Sequence, residues 1–282
     1  MMRDEVVRRI EQVAEEKLTE LDLSSLDLEE LPPEIVKCTH LETLLLSSNR
    51  ITVISKDIGQ LSNLTKLDLD YNQITQLPVS FGKLSNLGEL NFSGNQIRLI
   101  PEVIGQLSNL RKLDLSSNQI TIIPTAIGQL SNLTQLNLID NQISSISKVI
   151  GQLSSLKELY LGYNQITSIP DVIGRLSNLI ELSLGNNQIT FISDEIGQLF
   201  NLVHLHLVNN QITFIPDAIG QLSSLRELYL CYNQISCIPK ALGKLSHLER
   251  LYLNNNKITE KKPQALRGLR KGIDLQLYYQ RV

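Results

Sequence analysis

The sequence predicts an α/β solenoid, a stack of short strand-and-coil layers, on three observations. Asparagine recurs ten times with an unbroken spacing of 23, as Asn49, Asn72, Asn95, Asn118, Asn141, Asn164, Asn187, Asn210, Asn233 and Asn256. Apolar residues precede each Asn at −8, −5 and −3, as Leu64, Leu67 and Leu69 do before Asn72, and Ile follows at +2, as in Ile74 and Ile120. Nine glycines, from Gly59 to Gly243, keep the same spacing inside the phrase I-G-x-L. The segment L-x-x-L-x-L alternates like a short strand, and one such strand with its coil cannot bury its apolar side alone. Stacking solves this. In a stack each Asn side chain can satisfy backbone groups of its own turn and of the neighbouring coil, so the column reads as a structural ladder and not as chemistry.

Composition agrees. The 282 residues are 42% hydrophobic and 20% charged, with no Trp, five Phe and eight Tyr, which points to a core of Leu and Ile layers. A balance of 26 basic to 29 acidic residues leaves a net charge of −3 and no electrostatic footprint for nucleic acid or an anionic membrane. No apolar run has the length of a membrane span, and the first residues, MMRDEVVRRIEQVAEEKL, do not read as an export signal. Three scattered cysteines, Cys38, Cys231 and Cys237, make no disulfide framework, so a reducing cytoplasmic setting is expected. The sequons at Asn63, Asn91 and Asn132 arise from the wording of the repeat.

Element by element, residues 1–17 are expected to form a helical cap, with Asp4 as N-cap, Glu5 in the first turn and Val6, Val7, Ile10, Val13 and Ala14 on one face. Residues 18–262 hold about eleven repeats, and 263–282 an incomplete last one. Leu26 stands at the ladder position of the first repeat, and Cys38 in the column of Leu61 and Leu84 is expected to be a buried small hydrophobe. Ser55, Ser147 and Ser193 replace the Pro of the I-P column and are expected to keep its path. At the other end Leu266, Leu269, Leu275 and Leu277 repeat the apolar columns, which predicts a last strand from Ile273 to Tyr279; Gly268 and Gly272 oppose a helix there. That strand edge would be left uncovered, which suggests that the polypeptide continues beyond Val282 or that the edge meets another chain.

The columns, written L-x-x-L-x-L-x-x-N-x-I-x-x-I-P-x-x-I-G-x-L-S-N, resemble the leucine-rich repeat family in its 23-residue intracellular form. The resemblance covers residues 18 to about 280. It implies a right-handed horseshoe with a parallel sheet lining the concave side and irregular or short helical segments on the convex side. The phrase I-G-Q-L-S-N-L, with the N-terminal helix and the first repeat E-L-D-L-x-x-L-x-L-E-E-L-P-P-E-I, looks like the leucine-rich arm of bacterial Roco proteins, which precedes a Ras-like GTPase domain. It is also similar to Ras-suppressor-type proteins.

In that family the side chains at −6, −4, −2 and −1 to the ladder Asn point out of the concave face. Carried over, the N-terminal half shows short polar and acidic groups: Asp22, Asp68, Asp70, Asp114 and Asp140. The C-terminal half shows Tyr160, Tyr163, His204, His206, Tyr229, Tyr232 and Tyr252, accompanied by Glu227 and Arg250, with Tyr278 continuing the row. Six of the eight tyrosines, Tyr71 included, fall at such positions within the regular repeats, and Tyr is enriched where interfaces concentrate their energy. With strands about 4.8 Å apart, Tyr229 and Tyr252 are expected to be neighbours. Cys231 is expected to point outwards as a free thiol.

His204 and His206, at i and i+2 on one strand, point to the same side, with Glu181 and Glu227 on the flanking strands. Two histidines without a strict ligand motif read as surface residues, with a zinc or small-ligand site as the alternative; no metal or cofactor is expected. The chain lacks G-x-x-x-x-G-K-[ST], G-x-G-x-x-G, G-x-S-x-G, H-E-x-x-H and C-x-x-C, and S-x-x-K at Ser154 to Lys157 belongs to the repeat. An enzyme is not expected. The sequence thus predicts a cytoplasmic interaction scaffold that holds a protein or peptide on its concave face. Two settings stay open: the recognition arm of a larger Roco-like signalling protein, or a standalone bacterial effector or antigen that binds a host protein.

Overall fold

A computed structural model of the chain describes residues 2–259, 264–269 and 271–277. It forms two compact units, Met1–Asn137 and Leu138–Val282. Both are leucine-rich solenoids of the α/β class, in which every layer is a strand of three residues, a turn, and a 3₁₀ helix of five residues. Tyr278 and Tyr279 lie outside the described residues.

The first unit opens with helix α1, Met2–Glu16. It begins two residues before the expected N-cap, so Asp4 sits in the first turn, where a carboxylate suits the helix dipole. Glu5 is held by Arg8 (2.6 Å) and Arg9 (3.0 Å), each one turn away. Val6, Ile10 and Val13 are buried, Val7 and Ala14 half-buried. The Cys38 Sγ, itself fully buried, reaches the Ile10 carbonyl at 3.4 Å, and the His40 ring lies 3.2 Å from the Val13 carbonyl, so the helix is tied to the first repeat by polar contacts as well as apolar ones. Strands β1–β6 follow at Glu20–Asp22, Thr43–Leu45, Lys66–Asp68, Glu89–Asn91, Lys112–Asp114 and Gln135–Asn137; each pairs in parallel with the next, shifted by one repeat.

The second unit holds β7–β12: Glu158–Tyr160, Glu181–Ser183, His204–His206, Glu227–Tyr229, Arg250–Tyr252 and Asp274–Gln276. These pair in the same parallel manner, β12 included, with Arg250 opposite Asp274 and Tyr252 opposite Gln276. The last strand is shorter than Ile273 to Tyr279, and Gln264–Gly268 before it is a 3₁₀ helix. Among the described residues no helix is long and apolar enough to cross a membrane.

Why each layer looks alike follows from its columns. The central residue of every strand from β1 to β11 is a buried Leu, its neighbours half-buried or exposed. The residue just before the ladder Asn adopts a left-handed backbone in every regular repeat, from Ser48 (φ 55°) to Asn255 (φ 57°), and this stops the strand. The chain then runs through an extended Pro or Ser into the 3₁₀ helix. Ser55 (φ −58°, ψ 144°), Ser147 (φ −65°, ψ 143°) and Ser193 (φ −62°, ψ 146°) lie close to Pro216 (φ −68°, ψ 150°), so the same path is kept without the ring. Glycine in the helix answers to close approach: a Cβ on Gly220 would stand 2.5 Å from the Ala241 carbonyl oxygen of the next layer.

The buried asparagines join the layers. In the second unit Asn187 Nδ2 donates to the carbonyls of Leu161 (2.9 Å), Leu184 (3.0 Å) and Gly185 (3.3 Å), and its Oδ1 accepts the Ile166 N–H at 2.9 Å. Asn164 makes the same set one layer earlier: its Nδ2 donates to Leu138 (2.9 Å), Leu161 (3.2 Å) and Gly162 (3.1 Å), and its Oδ1 accepts the Ile143 N–H at 2.9 Å. Asn141, also buried, donates to the Leu138 and Ile139 carbonyls of its own turn, both at 3.2 Å. Asn210 and Asn233 repeat the pattern with their own neighbours. In the first unit Asn72, Asn95 and Asn118 do the same, and Asn49 accepts from both Leu26 and Leu28, whose layer has no ladder Asn of its own. A second column lies outside the sheet: Asn63, Asn86, Asn109 and Asn132, and later Asn178 and Asn201, each donate to a carbonyl 24 residues back. His247 takes that place for Ser223.

Two outcomes follow. Asn187→Ala strands several buried carbonyls and one N–H, each worth on the order of 1–3 kcal/mol, so its urea midpoint should fall further than that of Asn256→Ala, whose site is only partly buried. Leu159 is fully buried, and Leu159→Ala should lower stability by roughly 2–5 kcal/mol in the same assay.

Candidate interaction face

In the second unit the outer residues of β7–β12 stand in two rows, because parallel pairing sets position n opposite n+23, or n+24 at β12, where one residue is inserted. The upper row reads Glu158, Glu181, His204, Glu227, Arg250 and Asp274; the lower reads Tyr160, Ser183, His206, Tyr229, Tyr252 and Gln276. Three rings of the lower row stack. The centroids of His206 and Tyr229 are 4.7 Å apart, and Tyr229 meets Tyr252 edge-on at 4.9 Å, the offset geometries that aromatic quadrupoles favour. His204 lies 6.4 Å from His206.

The hydroxyls reach into the acidic row. Tyr229 donates to Glu227 Oε2 (3.0 Å), Tyr252 to Asp274 Oδ2 (2.6 Å), and Tyr160 lies within reach of both Glu158 (3.1 Å) and Glu181 (3.2 Å). Glu227 is the hub: besides Tyr229 it meets His204 Nδ1 at 3.2 Å and pairs through Oε1 with Arg250. Burial acts to raise the Glu227 carboxyl, but the bonds from Tyr229 and His204 and the charge of Arg250 outweigh it and hold it below the usual carboxylate range. Burial raises the Tyr160 hydroxyl well above its ordinary value, helped by the negative charges of Glu181 and Glu158. It lowers His206 below the usual imidazole value, against the pull of the Glu181 and Glu227 charges.

Tyr71, Tyr163 and Tyr232 lie elsewhere, at the left-handed turn, with φ of 46°, 54° and 55°. They are 65%, 61% and 55% exposed, so burial does not repay the backbone conformation. Other repeats place Ser, Gly, Asp or Asn there. Cys231 does not point outwards: it is buried, and burial raises its thiol above the ordinary value. The strand ends at Tyr229, and two residues on the chain is already in the turn, where the alternation that would expose Cys231 no longer holds.

The open face of the first unit is built of charges. Lys66, Glu89 and Lys112 alternate along one row, with Lys112 on Glu89 at 2.7 Å, and Asp68, Asn91, Asp114 and Asn137 fill the other. Asp70 is half-buried, and desolvation raises its carboxyl, with Asp68 and Asp114 adding repulsion. Asp22 pairs with its own turn through the Ser24 N–H; Asp140 takes one of the left-handed positions. The lysines and Glu89 escape a reading that follows Tyr and Asp alone, as do Glu158 and Asp274; all five stand at −6 or its equivalent, so the repeat register marks them.

The strained tyrosines carry a test. Relieving a left-handed residue that lacks compensation is worth roughly 1 kcal/mol where Asn replaces it. Tyr163→Asn with Tyr232→Asn should therefore raise the urea midpoint; a fall would show that the rings contribute to folding.

Comparison with known proteins places this geometry. The Leucine rich repeat profile matches residues 16–74, 39–97, 62–120, 177–235, 200–258 and 223–277, and a Leucine-rich repeat region profile matches 96–195. No curated protein sequence matches significantly. Among solved structures, an LRR protein of Leptospira interrogans is 32% identical over 96% of this chain and 86% of its own, with a TM-score of 0.70. An internalin of Listeria monocytogenes is 25% identical over 98% of this chain and 95% of its own, with a TM-score of 0.70. The ectodomain of the Arabidopsis receptor kinase HAESA, solved with its IDA peptide hormone ligand, is 31% identical over 84% of this chain but 42% of its own, with a TM-score of 0.71. The chain therefore spans less than half of that receptor ectodomain. With profile matches over most of its length and a bacterial relative aligned almost end to end, this chain belongs to the leucine-rich repeat family.

Proposed function

We propose that the open sheet face of Leu138–Val282 is a recognition surface for an extended peptide or a loop of a protein partner. The carrying observation is the ring stack of His206, Tyr229 and Tyr252, half-buried on three consecutive strands and flanked by a row of acids and one Arg. Stacked rings supply rigid contact area at little entropic cost, and their hydroxyls are already oriented by Glu227 and Asp274. Tyr163 and Tyr232 extend the surface beyond the strands, and their exposed rings at an unfavourable backbone conformation suit residues kept for contact. His204, Arg250 and Glu227 form the polar edge, and Tyr160 continues the row across Ser183. The fold is that of a binding scaffold, and a receptor ectodomain similar to this chain is solved with a peptide hormone.

The finer reading is that this surface serves as the arm of a Roco-like signalling protein in the cytoplasm, with residues 1–17 as its cap. The I-G-Q-L-S-N-L phrase supports it, and it predicts a P-loop GTPase sequence encoded downstream in the same gene. A free-standing effector or antigen that binds a host protein is the alternative, and a stop codon there would favour it.

The test is capture of a partner by crosslinking from the native cell extract, with mass spectrometry to identify it. Tyr229→Ala with Tyr252→Ala should cut recovery about tenfold or more, since a hot-spot ring contributes on the order of 2 kcal/mol, while the melting curve stays within a few degrees. Asp68→Ala with Asp114→Ala, on the other unit, should leave recovery unchanged. Equal recovery by the tyrosine variant would rule out the proposed face.

A further inference from the structure

The three ligand-type groups at the centre of this face are arranged in a way the histidine pair alone does not announce. His204 and His206 project from one strand, and the flanking strands offer a glutamate on each side at the level of His204. The two glutamates are not equivalent. Glu181 is engaged by the Tyr160 hydroxyl, which it shares with Glu158. Glu227 turns its Oε2 to His204, and one donor atom each from His204, His206 and Glu227 can be chosen so that all lie within 4.8 Å of one another.

We infer that His204, His206 and Glu227 form a binding site for a zinc-class divalent cation. Two imidazoles and one carboxylate are the donor set of open tetrahedral zinc sites, in which a fourth position is left to water. Around zinc the donors stand about 3.3–3.5 Å apart, so the present spread among these three half-buried residues closes by small side-chain rotations. The surroundings are already those of a ligand shell. The Tyr229 hydroxyl donates to the same Oε2 at 3.0 Å, and Arg250 holds the other carboxylate oxygen, so the carboxylate is oriented and kept ionised. Tyr229 packs against His206 at 4.7 Å and limits its rotamers. Nitrogen and oxygen donors of this kind suit zinc, nickel or copper and not calcium or magnesium. The fourth position faces the open side of the sheet, so an added ligand there would come from solvent or from a bound partner's own side chain.

This inference does not rest on peptide binding, and its test uses the chain alone. Zinc titrated calorimetrically into metal-free protein near neutral pH should saturate at one equivalent, and the wild-type melting temperature should rise with zinc. His204→Asn and His206→Asn should each abolish that saturable phase, and Glu227→Gln should weaken it strongly. Tyr229→Phe, which removes only the orienting hydroxyl, should weaken it roughly 10–100-fold. His247→Asn, an exposed histidine on the other side of the layer, should leave it unchanged. Cobalt in place of zinc should show the visible absorption of a tetrahedral site. No saturable zinc binding by the wild type, or undiminished binding and stabilisation in the His204→Asn, His206→Asn double variant, would overturn the inference, and neither result would bear on capture of a protein partner.

Discussion

The whole arrangement depends on one buried amide. A three-residue strand ended by a left-handed residue leaves carbonyls and an N–H inside the layer with no water to meet them. The ladder Asn is the side chain that answers both kinds of group at once, donating twice or more through Nδ2 and accepting through Oδ1, as Asn164 and Asn187 do toward their own turns and toward the layers before them. Because each amide serves two layers, the column makes neighbouring repeats cooperative, and no layer is satisfied alone. Leucine then fills the space between, and the aliphatic composition is a consequence of this geometry.

That division of labour frees the outer strand positions. Since the core is closed by Leu columns and the ladder, residues at −6 and −4 carry almost no folding duty, and the two units have used them differently. The first unit carries an alternating Lys and Glu row, whose Lys112–Glu89 ion pair is exposed and contributes little to stability. The second carries rings joined by hydroxyls to acids, a preorganised arrangement whose order is in place before any ligand arrives. The same order gives Glu227 three partners and makes it the point where the aromatic row, the histidine strand and Arg250 meet.

Much of this is readable in the sequence because the period is rigid. A spacing of 23 with parallel, in-register pairing places Tyr229 between His206 and Tyr252 without any knowledge of angles. The fold class follows from the same columns. Sequence and structure part where periodicity has ended. Continuing the strand alternation past Tyr229 points Cys231 outwards, whereas the backbone has already turned there; Asp4 reads as a cap because it is the first capping-type residue, although the helix starts before it. The second asparagine column, from Asn63 to Asn201, is visible as the phrase L-S-N, or L-F-N at Asn201, but has no meaning until its acceptor, a carbonyl 24 residues back, is located.

The sequence by itself determined which residues are core, which are ladder and which share a row, because those are matters of counting along a repeat whose layers are related by one fixed shift. Only the tertiary structure decided the chemistry of the rows. Whether Tyr160 engages Glu181, leaving Glu227 to His204, whether Tyr163 and Tyr232 sit at a left-handed turn with their rings in solvent, and how the rings of Tyr229 and Tyr252 meet depend on rotamers and on backbone torsions. Those are set by contacts across strands, and no spacing within one repeat encodes them.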